Sequence, residues 1–364
     1  MKMICPKSEA ALAEFVAGAD GPLAVTGGGT QGVALSGARV SLCGLSGVEL
    51  YEPGALTLVV QSGTPVAKIE ALLAKENQQL AFEPRDMRGL IGTQGDPTIG
   101  GVFATNLSGP RRIQAGATRD SLLGVRYVDG AGQCVKNGGR VMKNVTGYDL
   151  VKLMAGSYGT LGILTEVALK VLPRPETVGT LRFVGLTPVQ AVAAMSKALG
   201  SPYDVTGAAH IPGTEPVTLI RLEGFEASVQ YRIAELHAVL AEFGEVHAEM
   251  GTDVWRDVRD VKPLHAASGN IWRISVKPSD APEVLAQLEP EAAMMDWGGG
   301  LIWAALPESQ DARLAVEGVA GHATLLRGDG FPRFHPESAP VAKLANRLRA
   351  KFDPRGILNP GLMR

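Results

Sequence analysis

Cysteine is scarce in this chain of 364 residues: Cys5, Cys43 and Cys134 are the only three, and they lie far apart. An odd number without a CxxC pair favours neither a disulfide framework nor a cysteine-ligated zinc site. A common iron–sulfur cluster usually needs four thiolates, so this chain cannot hold one by itself. We therefore expect buried or chemically idle thiols in a reducing cytoplasm.

Charge of one sign and long apolar runs are also missing. The net charge is −2 without a long run of either sign, which argues against nucleic-acid binding. No apolar stretch approaches the roughly 20 residues of a transmembrane helix, so no integral membrane segment is predicted. Residues 1–10 lack the basic and then apolar pattern of a signal peptide. With 45% hydrophobic residues, these absences predict a globular cytoplasmic protein.

Glycine, by contrast, is abundant: the 45 glycines are concentrated before about residue 165, in short clusters between apolar runs. Residues 26–32 contain G-x-G-x-x-G behind a predicted strand, a pattern that can indicate a dinucleotide-binding Rossmann loop. Such a loop must open into a helix, but residues 33–45 have poor helical periodicity. The remaining interpretation is a loop whose free N–H groups bind a diphosphate.

Apolar periodicity and turn residues predict an α+β fold in two regions. The first region is predicted to contain helix 8–18 capped by Ser8, strands 22–26, 56–61 and 162–171, a helix capped by Thr64 with Pro65 at its first position, and a hairpin of strands 125–129 and 133–135. In the second region, residues 271–326 are predicted as β-α-β-β-α-β, the ferredoxin-like order, with the second helix at 312–319. A looser copy is predicted over residues 178–250, and a closing helix over 340–352.

Further small-residue segments follow the first glycine loop. They occupy residues 96–106, 109–112, 116–120, 138–140, 143–150, 156–166 and 352–361. In this order and at this spacing, the segments resemble the FAD-binding domain of the vanillyl-alcohol-oxidase, or PCMH-type, flavoprotein family. The resemblance implies a two-subdomain PCMH-type FAD-binding domain over residues 1–175, a ferredoxin-like antiparallel-sheet cap domain over 178–335, and a C-terminal segment, 336–364, that returns to the FAD domain.

The same resemblance implies FAD as the cofactor. Residues 27–31 and 98–106 would line the diphosphate and ribose, and residues 156–163 with Glu166 would close around the adenine half. Thr118 and Asp120 would lie near the flavin ring. The cofactor-binding residues implied in this way are Thr26, Gly27, Gly28, Gly29, Thr30, Gln31, Thr98, Gly100, Gly101, Ala104, Thr105, Asn106, Thr118, Asp120, Gly156, Ser157, Thr160, Gly162, Ile163, Glu166 and Asn359. Small residues suit this task because a diphosphate needs convergent N–H donors without bulky side chains between them.

Within this family the chain resembles the smaller flavin subunits of the three-subunit bacterial glycolate oxidases, on residues 106–112, 143–149 and 271–276. The resemblance implies oxidation of a 2-hydroxy acid, glycolate to glyoxylate, with electrons passed to an iron–sulfur subunit. It also implies a larger FAD-binding subunit as a partner, and peripheral placement at the inner membrane only through partners. Two alternatives stay open: a stand-alone FAD-dependent oxidase or dehydrogenase, and a non-catalytic FAD-binding electron-relay or structural subunit.

No metal site is predicted in the cap. Related larger flavin subunits carry H-x-G-D-G-N-x-H, whereas here Phe331 follows residues 328–330, and His322 and His335 lie at the wrong distances. Without that histidine pair and without four cysteines, we expect the isolated chain to oxidise glycolate poorly. The tryptophans of the cap are expected in the core or at a subunit interface: Trp255, Trp272, Trp297 and Trp303.

Three residues are candidates for substrate chemistry. Arg273 shares one face of a predicted strand with Ser275 and offers a guanidinium fork for a carboxylate, unless it is a surface charge. His265 and His322 are each candidates for the base that takes the hydroxyl proton, although a lone histidine is more often structural. Further cations could neutralise a phosphate or carboxylate, and about half of them should form a solvated surface: Arg111, Arg112, Arg119, Arg140 and Lys143.

We predict that the protein releases FAD, not FMN, on acid or heat denaturation. Many family members attach FAD through a histidine in the first glycine loop, but this chain has no histidine before His210. The flavin should therefore appear in the supernatant after the polypeptide is precipitated. Flavin that remains with the precipitate would contradict noncovalent binding.

Overall fold

The computed structural model describes residues 3–140, 147–251 and 253–363, so Lys143 and the start of segment 143–150 lie outside the described residues. The helices are α1 Glu9–Ala17, α2 Val66–Ala74, α3 Arg88–Ile91, α4 Ile99–Thr105, α5 Arg112–Ala115, α6 Leu150–Met154, α7 Pro188–Leu199, α8 Glu226–Leu240, α9 Asp253–Arg259, α10 Ala281–Leu288 and α11 Ala339–Phe352. The strands are β1 Leu23–Thr26, β2 Ala38–Ser41, β3 Val48–Glu52, β4 Thr57–Gln61, β5 Gln78–Gln79, β6 Leu122–Val128, β7 Cys134–Gly138, β8 Ile163–Lys170, β9 Leu172–Pro173, β10 Thr177–Val184, β11 Gly207–Ile211, β12 Val217–Gly224, β13 Val246–Met250, β14 Asn270–Ser275, β15 Ala292–Asp296, β16 Leu301–Leu306 and β17 His322–Arg327.

A five-stranded antiparallel sheet of order β3-β4-β8-β6-β7 forms the centre of the N-terminal region. Helices α2 and α4 pack Ile69 and Phe103 into its apolar cluster. A parallel pair, β1 and β2, leads directly into the first glycine loop. The predicted strands and hairpin are present, and Ser8 caps α1 by accepting the N–H of Ala11.

The start of α2 differs from the prediction that Thr64 caps this helix. The helix begins at Val66, and Pro65 occupies the cap position. The Thr64 hydroxyl instead donates to Gln61 O at 2.7 Å and accepts the Gly47 N–H at 3.0 Å. Because these bonds engage the hydroxyl in the turn after β4, it does not cap the helix.

One eight-stranded antiparallel sheet, of order β13-β10-β12-β11-β15-β16-β14-β17, forms the C-terminal region. It combines two units, β10–β13 and β14–β17, and each has its strands in the order four-one-three-two. The units join edge to edge where β11 pairs with β15, with His210 opposite Met295. The predicted ferredoxin-like unit and its looser copy are both present in this sheet.

One predicted helix of the second unit is wrong. Residues 312–319 form only a short 3₁₀ turn, Leu314–Val316, between β16 and β17. Gly318 has a φ of +88°, which ends a right-handed helix. The Arg313 guanidinium also pairs with Asp311 at 2.6 Å, and this bond holds the start of the turn.

The tryptophans and the cysteines differ in their exposure to solvent. All four cap tryptophans are buried, which confirms a place in the core and excludes them as exposed interface residues: Trp255, Trp272, Trp297 and Trp303. The three cysteines are free thiols and are exposed, so of the two alternatives expected, buried or chemically idle thiols, only the second remains. Within the described ranges, no helix is both long and apolar enough to cross a membrane.

The two faces of the large sheet have different neighbours. Helices α7, α8 and α10 cover one face with an apolar cluster. The other face packs on the N-terminal region, where Leu107 and Trp303 belong to one cluster. A buried ion pair crosses this contact: Arg85 Nη2 lies 2.6 Å from Asp296 Oδ2, and neither side chain is exposed. Beside it, Arg221 donates to both oxygens of Glu83 at 2.8 and 2.9 Å.

The chain after α11 returns to the N-terminal region. Leu358 lies beside Leu23 in a parallel bridge, and the Val25 N–H donates to Asn359 Oδ1 at 2.7 Å. Asn359 Nδ2 donates to Tyr158 O at 2.8 Å. The side chain of Asn359 therefore links β1, which leads into the first glycine loop, to the loop after α6.

Asp296→Asn is expected to destabilise the protein by about 3–5 kcal/mol, because it leaves the buried Arg85 guanidinium without a counter-charge. Urea unfolding, followed to the free energy of unfolding, measures the change. Asp253→Asn is the matched control, since Asp253 forms an exposed pair with Arg256 at 3.8 Å and should cost less than about 1 kcal/mol. Equal losses in the two variants would contradict the role assigned to the buried pair.

Candidate active site

In the first glycine loop, backbone carbonyl groups accept hydrogen bonds from the protein, whereas the backbone N–H groups have no acceptor among the described residues. Its carbonyl oxygens accept hydrogen bonds from side chains outside it: Gly27 O from Cys43 Sγ, Thr30 O from Thr93 Oγ1, and Gln31 O and Gly32 O from Arg333. No acceptor within the described ranges is bonded to the backbone N–H groups of residues 27–32. The loop therefore offers a row of unpaired donors, which is the chemistry that binds a phosphate.

Gly28 and Gly29 are glycines for different reasons. A Cβ at Gly28 would overlap the carbonyl oxygen of Asp96, because the loop packs directly against this neighbouring backbone. Gly29 has a φ of +73° and open space where its Cβ would lie. Gly28 thus allows two loops to pack, and Gly29 presents backbone that a ligand can approach closely.

A groove runs from this loop along α4 to the loop after α6. The predicted cofactor-binding residues that line it are Thr26, Gly27, Gly28, Gly29, Thr30, Gln31, Thr98, Gly100, Gly101, Ala104, Thr105, Ser157, Gly162, Ile163 and Asn359. Ser62 also lines the groove, and its buried hydroxyl has no hydrogen-bond partner among the residues described. Unpaired N–H groups and an unpaired hydroxyl in one groove fit a long polar ligand such as a dinucleotide.

Other predicted cofactor residues lie outside this groove. Thr118 is fully buried and donates its hydroxyl to Leu107 O at 2.7 Å, so it supports the loop after α4. Asp120 accepts the Ala117 N–H at 2.8 Å and is exposed. Asn106 and Gly156 line a larger cavity next to the groove. Thr160 donates its hydroxyl to Ser157 O. Glu166 lies opposite Arg126 in the register of β8 and β6.

The larger cavity, of about 990 Å³, lies where β14 and β17 meet the N-terminal region. Arg273 and Ser275 line it from β14, which is the polar face predicted from the sequence. His322 lies opposite Ser275 on β17, and Arg112 enters from α5. Tyr158 and Thr105 line both this cavity and the groove, so the two are continuous at these residues.

Two cations of this cavity share one aromatic ring. The guanidinium of Arg112 lies 4.4 Å from the centre of the Trp297 ring, and that of Arg273 lies 5.4 Å from it. Neither forms a side-chain hydrogen bond or an ion pair with any residue that the structure describes. Burial lowers the pKa of Arg273 to about 10, and burial also lowers the pKa of Arg112. Two partly desolvated guanidinium groups without a carboxylate within ion-pair distance offer positive charge to an anionic ligand.

Two histidines line the cavity with these arginines: His322, which was predicted from the sequence, and His335, whose Nδ1 accepts the Ala323 N–H at 3.4 Å. Desolvation at the cavity wall lowers the pKa of His322 below its usual 6.5, and the charges of Arg273, His335 and Arg112 lower it further. The imidazole is therefore neutral near pH 7 and able to accept a proton.

Other residues that were candidates from the sequence do not line the larger cavity. His265 lies outside the groove and the cavity: its Nε2 contacts Asp260 O at 2.8 Å, and its ring packs on Gly89. This placement gives His265 no geometric support as a catalytic base. Arg111 is buried beside Glu223 at 3.3 Å. The remaining cations are exposed: Arg119 and Arg140.

Tyr158 falls in the range 156–163 predicted to close around the adenine half, but it is not among the residues named individually. It has a φ of +52°, its ring packs edge-on against Phe334 at 5.0 Å, and burial raises the pKa of its phenol. The signal available in the sequence is a single aromatic residue between two glycines of a small-residue segment.

Gly28→Val is expected to reduce bound flavin several-fold, because its side chain would push the glycine loop away from Asp96 and disorder the row of N–H donors. The flavin-to-protein absorbance ratio of purified protein measures the effect. Gly21→Val is the control, since nothing lies within 4 Å of a Cβ there. Full flavin content in Gly28→Val would show that the loop does not bind the cofactor.

Residues 2–138 match the family described as FAD binding domain. The glycolate oxidase subunit GlcE of Escherichia coli (strain K12) is 39% identical to this chain over 321 residues, which cover 87% of this chain and 84% of that protein. The glycolate oxidase subunit GlcD of Bacillus subtilis (strain 168) is 29% identical over 303 residues, covering 82% of this chain and 55% of that protein.

Solved structures share the architecture at low identity. An alkyldihydroxyacetonephosphate synthase superimposes with a TM-score of 0.73 at 16% identity, over 99% of this chain and 75% of that one. A chitooligosaccharide oxidase gives 0.66 at 15%, over 97% and 89%. These two likenesses show the fold alone. The domain match and the GlcE relative show more: the cofactor is FAD, and the chain belongs to the PCMH-type family of FAD-binding oxidoreductases that includes the glycolate oxidase subunit GlcE.

Proposed function

We propose that this chain is the FAD-binding subunit of a glycolate-oxidase-type complex. A small 2-hydroxy acid, with glycolate as the first candidate, is oxidised in its larger cavity. The observation that carries the proposal is the convergence of Arg112, Arg273 and His322, which have no side-chain hydrogen-bond partner among the described residues. The similarity to GlcE and GlcD supports the choice of substrate.

The chemistry needs a carboxylate anchor and a proton acceptor. When bound, FAD supplies the two-electron acceptor for the hydrogen on the alcohol carbon. The Arg273 fork binds the substrate carboxylate in a planar, two-point geometry, and Arg112 adds a second positive charge. His322, neutral at pH 7, takes the hydroxyl proton as the carbonyl forms. The product is the corresponding 2-oxo acid, which is glyoxylate for glycolate.

The two regions divide this work. Residues 1–175 and the returning segment 336–364 hold FAD along the groove, and the cap, residues 178–335, supplies Arg273 and His322. This division follows from where the groove and the cavity lie, on either side of Tyr158. Arg112 reaches the substrate cavity from the N-terminal region, which also contributes Thr105 and Tyr158 to its wall.

Electrons leave through partner proteins in this proposal. The three cysteines are too few and too distant for a cluster, so reduced flavin has no one-electron carrier inside the chain. A larger FAD-binding subunit and an iron–sulfur subunit fill this role, and they would also account for any placement at the inner membrane. A purely structural or relay subunit is less well supported, because it has no use for the unpaired Arg112, Arg273 and His322.

Arg273→Met is expected to weaken the apparent affinity for glycolate roughly 10- to 100-fold, the worth of a hydrogen-bonded charge. His322→Asn should slow flavin reduction roughly 10²–10⁴-fold with little change in affinity, because it removes the proton acceptor. Anaerobic stopped-flow of the FAD-replete protein measures both. Arg182→Met and His247→Asn, two surface positions of the same sheet, are the controls.

The pH dependence tests the same assignment. Flavin reduction should fall as pH decreases through the pKa of His322, with a midpoint below 6.5. Arg273→Met removes one of the charges that lower this pKa, so the midpoint should move to higher pH. A midpoint that stays in place in Arg273→Met, or an acid limb that persists in His322→Asn, would contradict the role of His322.

A further inference from the structure

We propose that the outer face of helix α11 is the docking surface for an acidic protein partner, the one that takes electrons from this chain. The docking itself rests on the features of the helix, and the electron transfer rests on the proposed function. The partner is defined by its chemistry: carboxylates arranged around a small apolar centre.

Helix α11 has little packing of its own. None of its 14 residues is buried, and Ser338 gives no side-chain cap to its N-terminus. A helix of this length is marginal in water unless an apolar face packs against something. Val341 and Leu344, at 51% and 60% exposure, lie one turn apart on its surface. These two side chains give the outer surface of the helix a small apolar centre.

The orientation of α11 relative to the cavity is fixed by its inner residues. Ala342, Asn346 and Arg349 line the larger cavity, and they share one face at helical spacing. Leu344, Arg347 and Lys351 fall on the opposite face by the same spacing, directed away from the cavity. A partner on that outer face is separated from the cavity by about one helix diameter, roughly 10 Å.

The charge of this face selects the partner. Every charged residue of α11 is basic, and none of Lys343, Arg347 and Lys351 forms an ion pair within the part of the chain that the structure describes. The stripe that they form at four-residue spacing is complementary to an acidic surface. An anionic membrane is less well matched, because the outer face has no aromatic residue, and the only aromatic residue of the helix, Phe352, packs on Tyr127.

The experiment compares two triple variants with the same change of charge. The first, Lys343→Glu with Arg347→Glu and Lys351→Glu, reverses the stripe. The second, Lys7→Glu with Lys68→Glu and Lys75→Glu, changes exposed lysines of the N-terminal region. Each is co-expressed with the tagged larger FAD-binding subunit and iron–sulfur subunit of the proposed complex. Recovery on the tag and the rate of cluster reduction by glycolate are measured.

The stripe variant should lose at least tenfold in recovery and in cluster reduction, and the control should match the unmodified chain. Flavin content and flavin reduction by glycolate should stay within about twofold in both, which shows that they are folded. Binding of the unmodified chain should also weaken steeply with salt. Equal recovery of both variants, or no complex with the unmodified chain, would overturn the proposal.

Two further outcomes separate related ideas. Binding of the unmodified chain, but not of the stripe variant, to phosphatidylglycerol vesicles while complex recovery is equal would assign the face to a membrane and overturn protein docking. The recovery of the complex on the tag is measured in the absence of glycolate. If glycolate does not reduce the flavin of this chain in the assembled complex, the proposed function is refuted, while the recovery of the complex still supports or overturns docking.

Discussion

The contact between Arg85 and Asp296 is the constraint on which the larger cavity depends. Both side chains are fully buried between the N-terminal region and the large sheet. Asp296 also accepts the Trp297 N–H through its second oxygen at 2.7 Å, so one carboxylate fixes the contact of the regions and the turn that carries Trp297. The Trp297 ring in turn supports Arg112 and Arg273, one from each region. A pair whose desolvation is costly thereby determines where two cations meet.

Two classes of arginine lie where the regions meet, one fully buried and one half-buried. Arg221 lies against Glu83 and Glu223, and Arg85 against Asp296, so their charges are compensated inside the fold. Arg112 and Arg273 have aromatic support but no carboxylate among the described residues. An uncompensated cation in a partly dry cavity is unfavourable, which supports the proposal that an anionic ligand binds to Arg112 and Arg273. This contrast, more than the number of cations, distinguishes structural arginines from candidates for substrate binding.

Local patterns were sufficient to predict much of this fold from the sequence. Alternation and turn residues give most strands, and the ordered glycine segments indicate the groove. What the sequence could not supply depends on long-range packing. Arg111 and Arg112 are adjacent, yet only the second reaches the cavity. Likewise, position 28 must be a glycine because a Cβ there would overlap Asp96, which lies in a loop far along the chain. His265 and His322 look equivalent in the sequence, and only the sheet register places His322 opposite Ser275.

In the proposed function, Arg112 and Arg273 together bind the carboxylate of a hydroxy acid beside FAD. The most direct measurement is a crystal structure of the FAD-replete protein with oxalate, an unreactive carboxylate analogue of the substrate. We expect oxalate in the larger cavity, with one carboxylate hydrogen-bonded to both guanidinium groups and its other end within reach of His322. Oxalate bound elsewhere, with Arg112 and Arg273 still lacking an anionic partner, would contradict the account.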